Sequence, residues 1–169
     1  MYTFNNKEKL GNSWGEINLR GLAFQNGEQA LSGLKYLLLS QRATDPERKE
    51  LLEIYSQTFV LNGLTPDLIR RGGRRSITLT REELMFWESA RIDIQREICI
   101  QKYQRYPEIR EILKTFGFFV YISTASKNPH ISNKEFAARV WDGRIVDGEI
   151  IGKNMLGEIW MKIHTEACS

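Results

Sequence analysis

The run from Thr80 to Arg105 constrains the fold of this chain more than any other stretch. Thr80 stands three residues before Glu83, the spacing of a capping box, in which the two residues satisfy each other's backbone N–H groups at a helix start. Apolar residues then recur at helical spacing. These residues are Leu84, Trp87, Ile94 and Ile98. The sequence therefore predicts a long helix over about residues 81–105, with this stripe facing the core.

Start and stop signals of the same kind predict further helices around it. A proline in the first turn, a capping residue before it and a glycine after the last turn are typical of helix ends. The predicted ranges are 27–42, 46–57, 66–72, 107–117 and 153–167. Short alternating pieces at 2–4 and 16–19 indicate strands or extended loops, residues 118–122 indicate a buried strand, and 123–152 are expected to be mostly loop. We predict an α+β fold, predominantly helical, in a single domain over 1–169.

Composition excludes several classes of protein. The chain is 41% hydrophobic and 27% charged, which is typical of soluble domains. No apolar run approaches the roughly 20 residues that span a bilayer, and the N-terminus lacks a basic segment followed by an apolar one, so we expect a cytoplasmic protein without a membrane partner. Cys99, Cys168, His130 and His164 are the only cysteines and histidines. They favour neither a disulfide framework nor a metal site, and no cofactor is expected.

A cluster of arginines is the strongest local concentration of charge. Arg70, Arg71, Arg74 and Arg75 surround a glycine pair within six residues. Guanidinium groups hold phosphate through charge and forked hydrogen bonds, so the cluster suits a phosphorylated ligand. A solvated basic loop explains the same composition equally well.

The predicted helix at 27–42 places three polar side chains on one face. Glu28, Ser32 and Lys35 are spaced by four and three residues, so they point in nearly the same direction. A carboxylate, a hydroxyl and an ammonium therefore share a rim beside an apolar stripe. This is either a site or the solvated edge of an amphipathic helix.

Five short motifs follow one another in a recognisable order. They are Glu28 with Lys35 seven residues later, Gly73-Arg74, Trp87-Glu88-Ser89, Lys102-Tyr103, and Gly152-Lys153-Asn154-Met155-Leu156-Gly157. In these motifs, from about residue 10 to 164, the chain resembles the NADAR family, also called YbiA-like. The resemblance implies an N-glycosidase that hydrolyses the bond between ADP-ribose and a base, with guanine in ADP-ribosylated DNA or nucleotides as the favoured acceptor. In DNA, the modified base is expected to be in single-stranded DNA or flipped out of the stack. It leaves open an N-glycosidase of riboflavin-biosynthesis intermediates, or a module that binds ADP-ribose or NAD derivatives without turnover.

The resemblance also suggests roles for particular residues. N-glycosidic cleavage passes through an oxocarbenium-like state that a nearby carboxylate stabilises, or a carboxylate activates water for attack. Glu28 is expected to do this, with Lys35 tuning its pKa. Trp87 or Trp141 can stack on the base. The substrate phosphates are expected to meet Lys35, Arg74 and the backbone N–H groups of Gly152, Lys153 and Asn154 at a helix start, although Asn154 could instead simply cap that helix.

One position departs from the family pattern. The family carries an acidic residue three places before the tryptophan matched by Trp141, and here Ala138 stands at that position. Arg139 keeps the pattern, and Asp142 replaces the glycine that normally follows the tryptophan. Three explanations stay open: the carboxylate function has moved to Asp142, the activity has diverged, or an aspartate at 138 has been replaced deliberately so that a bound ligand is not turned over.

Overall fold

The computed structural model describes residues 1–72 and 75–168 and contains seven helices and six short strands within them. The helices are α1 (Gly27–Arg42), α2 (Pro46–Gln57), α3 (Pro66–Arg70), α4 (Arg81–Arg105), α5 (Pro107–Thr115), α6 (Asn133–Phe136) and α7 (Met155–Ala167). The strands are β1 (Tyr2–Phe4), β2 (Ile17–Leu19), β3 (Leu22–Phe24), β4 (Phe119–Tyr121), β5 (Arg144–Val146) and β6 (Glu149–Ile151). The prediction of a predominantly helical α+β fold is confirmed.

The contacts of the chain group it into two compact units. The central unit comprises residues 15–101, and the terminal unit combines residues 1–14 with the chain from Lys102 onward. Helix α4 belongs to the central unit up to Gln101. A single domain over 1–169 stays a prediction.

The central unit packs β2, β3 and the helices α1 to α4. Its core is a cluster of buried apolar side chains. The cluster comprises Ile17, Leu19, Phe24, Ala30, Leu34, Trp87, Ile94 and Ile98. Because Trp87, Ile94 and Ile98 come from α4, the predicted stripe of that helix faces this core, except that Leu84 remains 45% exposed. The expectation for Leu84 was wrong because it lies in the first turn of α4, where the stripe has not yet reached the core.

Side chains at the predicted positions start these helices. Thr80 Oγ1 accepts a hydrogen bond from Glu83 N at 3.1 Å, and Glu83 Oε1 accepts one from Thr80 N at 2.9 Å. The capping box is therefore present. Asp45 caps α2 by accepting from Arg48 N at 2.9 Å, and Thr65 caps α3. Each cap satisfies backbone donors that the helix itself leaves without partners.

The terminal unit is built around a parallel pair of strands. Strand β1 pairs with β4 in the register Tyr2 with Phe119 and Phe4 with Tyr121. Helix α7 packs against β4. It buries four apolar residues at helical spacing, Leu156, Ile159, Trp160 and Ile163. Trp160 is fully buried, and its Nε1 donates to the Leu10 carbonyl oxygen at 3.0 Å, so the indole nitrogen is satisfied inside the core.

The stretch from 123 to 152 is more ordered than predicted. It holds a 3-10 turn at Ala125–Lys127, helix α6, and an antiparallel hairpin of β5 with β6. Asp147 and Gly148 form the hairpin turn with φ of 51° and 79°. An Asp-Gly pair between apolar residues is a strong hairpin signal, because both turn positions need positive φ. The expectation of a long loop was therefore wrong here.

Among the described residues, none of the helices combines the length and apolar character needed to pass through a lipid bilayer.

Candidate functional site

One pocket of the central unit is formed by facing sides of α1 and α4. It has a volume of about 420 Å³. Its lining residues are Glu28, Gln29, Leu31, Ser32, Lys35, Trp87 and Arg91. The three polar side chains predicted to share one face of α1 thus line a single pocket. Helix α4 adds the indole edge of Trp87 and, one turn further along the helix, the guanidinium of Arg91.

Two cations lie close enough in this pocket to influence each other. Burial lowers the pKa of Lys35, and the charge of Arg91 lowers it further, while Glu88 raises it. Burial also lowers the pKa of Arg91, again against the effect of Glu88. A lowered pKa makes it easier for the Lys35 ammonium to release its proton. Both cations would also be stabilised by a bound anion, because it would offset their lost hydration and mutual repulsion.

The acid and the aromatic ring in the pocket differ in exposure. Glu28 lies in the first turn of α1 and is exposed to solvent, which leaves its carboxylate accessible to a ligand. Trp87 is only 5% exposed and belongs to the core of the central unit. Its indole therefore forms a fixed apolar wall of the pocket.

Arg91 is the charged residue of the pocket that the sequence analysis missed. The sequence could have predicted that Arg91 lies near Trp87, since it follows Trp87 by four residues and so lies one turn away on the same face of α4. Two arginines of the cluster at 70–75 are exposed and form ion pairs within the protein. Arg70 pairs with Asp67 at 3.2 Å and Arg71 with Glu50 at 2.8 Å. The predicted phosphate ligand Arg74 lies outside the described residues.

In the terminal unit, Asp142 is buried beneath the surface with both carboxylate oxygens bonded. Arg139 Nε lies 2.9 Å from Oδ1 and 2.8 Å from Oδ2, and Ser123 Oγ donates a short hydrogen bond to Oδ2. Asp142 is 2% exposed. A carboxylate that is buried and paired in this way holds neighbouring segments together, which leaves it poorly placed to meet a sugar carbon.

The start of α7 is occupied by the protein's own backbone. The N–H groups of Lys153, Asn154, Met155 and Leu156 donate to the carbonyl oxygens of Arg139, Asp142, Val140 and Trp141, respectively, at 2.9 to 3.3 Å. The expectation that Gly152, Lys153 and Asn154 offer backbone donors to a diphosphate was therefore wrong for Lys153 and Asn154. Carbonyls of the 139–142 segment satisfy these donors and lie at the positive end of the helix dipole.

Asn154 fixes β4 to the start of α7. It is 2% exposed, its Oδ1 accepts from Tyr121 N at 2.9 Å, and its Nδ2 donates to the Phe119 carbonyl oxygen at 2.8 Å. The side chain makes no cap hydrogen bond to α7, so the capping role was wrong. Its φ of 48° places this residue in the left-handed region, which asparagine tolerates better than most residues.

Other predicted residues of this segment lie nearer the surface. Ala138 and Lys153 are exposed, and Trp141 is half-buried. Gly152 has φ of 90°, and a Cβ there would lie 2.8 Å from the Asp142 carbonyl oxygen. The glycine is thus required by the backbone path into α7.

No group of three or more histidine, cysteine, aspartate or glutamate side chains is arranged to hold a metal ion in residues 1–72 and 75–168.

Comparisons with known proteins give one distant match. No protein-family model matches the chain, and no curated protein matches it significantly. Among solved structures, the chain is similar to the NMR structure of the Escherichia coli protein YbiA, with 20% sequence identity and a TM-score of 0.48. The match covers 98% of this chain and 84% of the other.

Proposed function

We propose that this protein is an N-glycosidase of the NADAR type, which hydrolyses the bond between ADP-ribose and a base, with guanine in ADP-ribosylated DNA as the favoured substrate. The observation that carries the proposal is the pocket between α1 and α4, which gathers Glu28, Lys35 and Arg91 beside Trp87. Motif order in the sequence supports the family, since Glu28, Lys35 and Trp87 are positions of that pattern.

The pocket supplies the groups that this reaction needs. As the bond to the base breaks, positive charge develops at C1′ and the ring oxygen of ribose, and the exposed Glu28 carboxylate stabilises that charge or activates the attacking water. Lys35 and Arg91 bind the negative charge of the substrate, either its phosphates or the electron pair that leaves with the base. Protonated Lys35 can give its proton to the departing base, because its lowered pKa makes proton release easier, and the attacking water gives up a proton as its oxygen bonds to C1′, which restores the lysine.

Ala138 is expected to limit this activity. In the NADAR pattern its position carries an acid, and the exposed alanine leaves room for one. Asp142 is a poor substitute because Arg139 and Ser123 occupy its carboxylate. The Ala138→Asp variant is therefore expected to release ADP-ribose orders of magnitude faster than the unmodified chain, corresponding to about 3 kcal/mol or more of transition-state stabilisation.

The test is release of ADP-ribose from a single-stranded oligonucleotide that carries ADP-ribosylated guanine. Four proteins are compared: the unmodified chain, Ala138→Asp, Ala138→Asp with Glu28→Gln, and Ala138→Asp with Glu149→Gln as a control at an exposed acid of the terminal unit. We expect release by the second and fourth proteins and loss of release in the third. Intact substrate with Ala138→Asp, or release that is indifferent to Glu28→Gln, would contradict the proposal.

A second candidate is a module that binds ADP-ribose without turnover, and Ala138 is the observation that favours it. Calorimetry with ADP-ribose separates the two. Saturable binding by the unmodified chain, weakened by Lys35→Gln, together with no product from Ala138→Asp, would identify a binding module.

A further inference from the structure

A second cavity lies in the terminal unit, where β1 and β4 end side by side. Its volume is about 470 Å³, within the range of small-ligand sites. The two strands are parallel, so their carboxyl ends meet at one edge and the chain then leaves in two separate loops. A crevice outside the carboxyl ends of parallel strands is a common ligand site. The lining residues are Asn5, Asn6, Lys7, Tyr121, Ile122, Ser123, Thr124 and Lys127.

The charged side chains of this lining are all positive. Lys7 comes from the loop after β1 and Lys127 from the 3-10 turn after β4, and both are exposed. The described lining contains no carboxylate. The Asp142 carboxylate accepts a hydrogen bond from the lining residue Ser123, but its negative charge is paired with Arg139. Two ammonium groups and the hydroxyl of Thr124 suit a phosphate, whereas the Ser123 hydroxyl is already committed to Asp142.

Hydrogen bonds hold the first loop in place before any ligand binds. Asn5 Oδ1 accepts from Lys7 N at 2.9 Å. The side chain of Asn6 donates to Ser13 Oγ at 2.7 Å and accepts from Asn12 N at 3.1 Å. A phosphate bound beside Lys7 would therefore meet a loop that is already ordered, which lowers the entropic cost of binding.

Arg144 holds the loop that follows β4 in place before any ligand binds. Its guanidinium donates to four backbone carbonyl oxygens between residues 125 and 131, at 2.7 to 3.0 Å. It also donates to Asn133 Oδ1 at 3.0 Å. These bonds fix the turn that carries Lys127, so the guanidinium serves here as a positioning group.

The cavity also has an aromatic wall. The Tyr121 ring lines it and stacks on the buried Phe4 ring, with centroids 5.5 Å apart and planes at 22°. An aromatic ring fixed on one face by another ring is a suitable platform for a nucleobase, because stacking depends on flat contact with little loss of side-chain entropy.

The geometry points to a binding site for a nucleoside monophosphate, with the phosphate between Lys7 and Lys127 and the base near Tyr121. The site uses none of the residues of the α1/α4 pocket and goes beyond the proposed glycosidase function.

The test is NMR titration of the ¹⁵N-labelled full chain with AMP, with ribose 5-phosphate and inorganic phosphate as separate probes. We expect saturable shifts at residues 5–7 and 121–127, weakened roughly tenfold in the Lys7→Gln, Lys127→Gln double variant. The matched control is Lys134→Gln, an exposed lysine outside the lining. Tyr121→Leu should weaken AMP several-fold while leaving ribose 5-phosphate unchanged.

Two results would overturn the site. One is the absence of saturable shifts at these residues, and the other is equal affinity for AMP in the double variant and in Lys134→Gln. If ribose 5-phosphate binds as tightly as AMP, the assignment to a nucleoside is wrong. A Lys35→Gln variant separates the two sites, since it should leave the AMP-induced shifts at residues 5–7 and 121–127 unchanged even where glycosidase activity is lost or absent. Melting temperatures of all variants establish that each is folded.

Discussion

The guanidinium of Arg139 bridges both carboxylate oxygens of Asp142 through its Nε, at 2.9 and 2.8 Å, while the two partners differ sharply in exposure. The Asp142 side chain is 2% exposed and that of Arg139 is 44% exposed. The buried Asp142 carboxylate therefore needs Arg139 as its counter-charge, whereas water can solvate the exposed Arg139 guanidinium when the aspartate is absent.

Removing the arginine should destabilise the protein more than neutralising the aspartate. Arg139→Met leaves a buried carboxylate without its counter-charge and should cost about 3 kcal/mol, whereas Asp142→Asn should cost about half as much. Urea unfolding measures both, with Lys134→Met as a control at an exposed position. In the double variant part of the loss should be recovered, and strictly additive losses would contradict the dependence described here.

A methyl group at Gly157 should disrupt the packing of α7 on β4. An added Cβ would lie 2.3 Å from the Phe119 carbonyl oxygen and 2.4 Å from Asn154 Nδ2. Either the backbone at Phe119 or the side chain of Asn154 must therefore move. We expect Gly157→Ala to lose at least about 3 kcal/mol in thermal or urea unfolding. Gly148→Ala is the matched control, because its φ of 79° carries strain of about 1 kcal/mol while nothing lies within 4 Å. Equal losses in the two variants would contradict this account.

The Glu83 carboxylate should stabilise the protein only above acidic pH. Burial raises its pKa, but hydrogen bonds from Arg48 and Thr80 outweigh burial and lower the pKa below the ordinary 4.5. Its contribution is therefore present above pH 4.5 and disappears as pH falls through the lower folded-state pKa. Glu83→Gln keeps the cap geometry and should cost about 1 kcal/mol at pH 7. The difference from the unmodified chain should shrink as the pH falls below 4.5, and a constant difference would refute the linkage; Glu82→Gln is the exposed control.

Lys35, which lines the α1/α4 pocket, should lower the free energy of unfolding at neutral pH. Since its pKa is lowered, the folded state binds the proton less tightly than the unfolded chain does, and the charged form is penalised below the folded-state pKa. Lys35→Gln should therefore raise the melting temperature at pH 7. The gain should shrink as pH rises toward the ordinary value of 10.5. A melting temperature that falls at pH 7 would show that Lys35 is a structural cation, and Lys134→Gln serves as the reference for an exposed lysine.

The helices could be predicted because their signals are local. Thr80 with Glu83 and Asp45 with Pro46 define helix starts within a few residues, and α1, α2 and α4 have the predicted bounds. The shared face of Glu28, Ser32 and Lys35 follows from helical geometry alone. Arg91 was predictable by the same rule, once α1 and α4 were expected to face each other.

What could not be predicted depends on contacts between distant segments. The sequence shows that α7 begins after Gly152 but not that carbonyls of residues 139–142 occupy its first N–H groups. Asn154 stands where a helix-capping residue is expected, so the sequence did not indicate that its side chain bonds to β4, more than thirty residues earlier. The hairpin at Asp147 and Gly148 belongs to another category, because its signal was local and was overlooked.

The pairing of β1 with β4 also has a consequence for biosynthesis. Tyr2 is synthesised well before its partner Phe119, because more than a hundred residues separate the two in the sequence. The apolar cluster of the central unit is made within residues 15–101 and so is complete before Phe119 is synthesised, whereas β1 has to wait for its partner. A nascent chain halted before Phe119 would thus carry β1 without its partner strand, and a chaperone could bind the exposed strand.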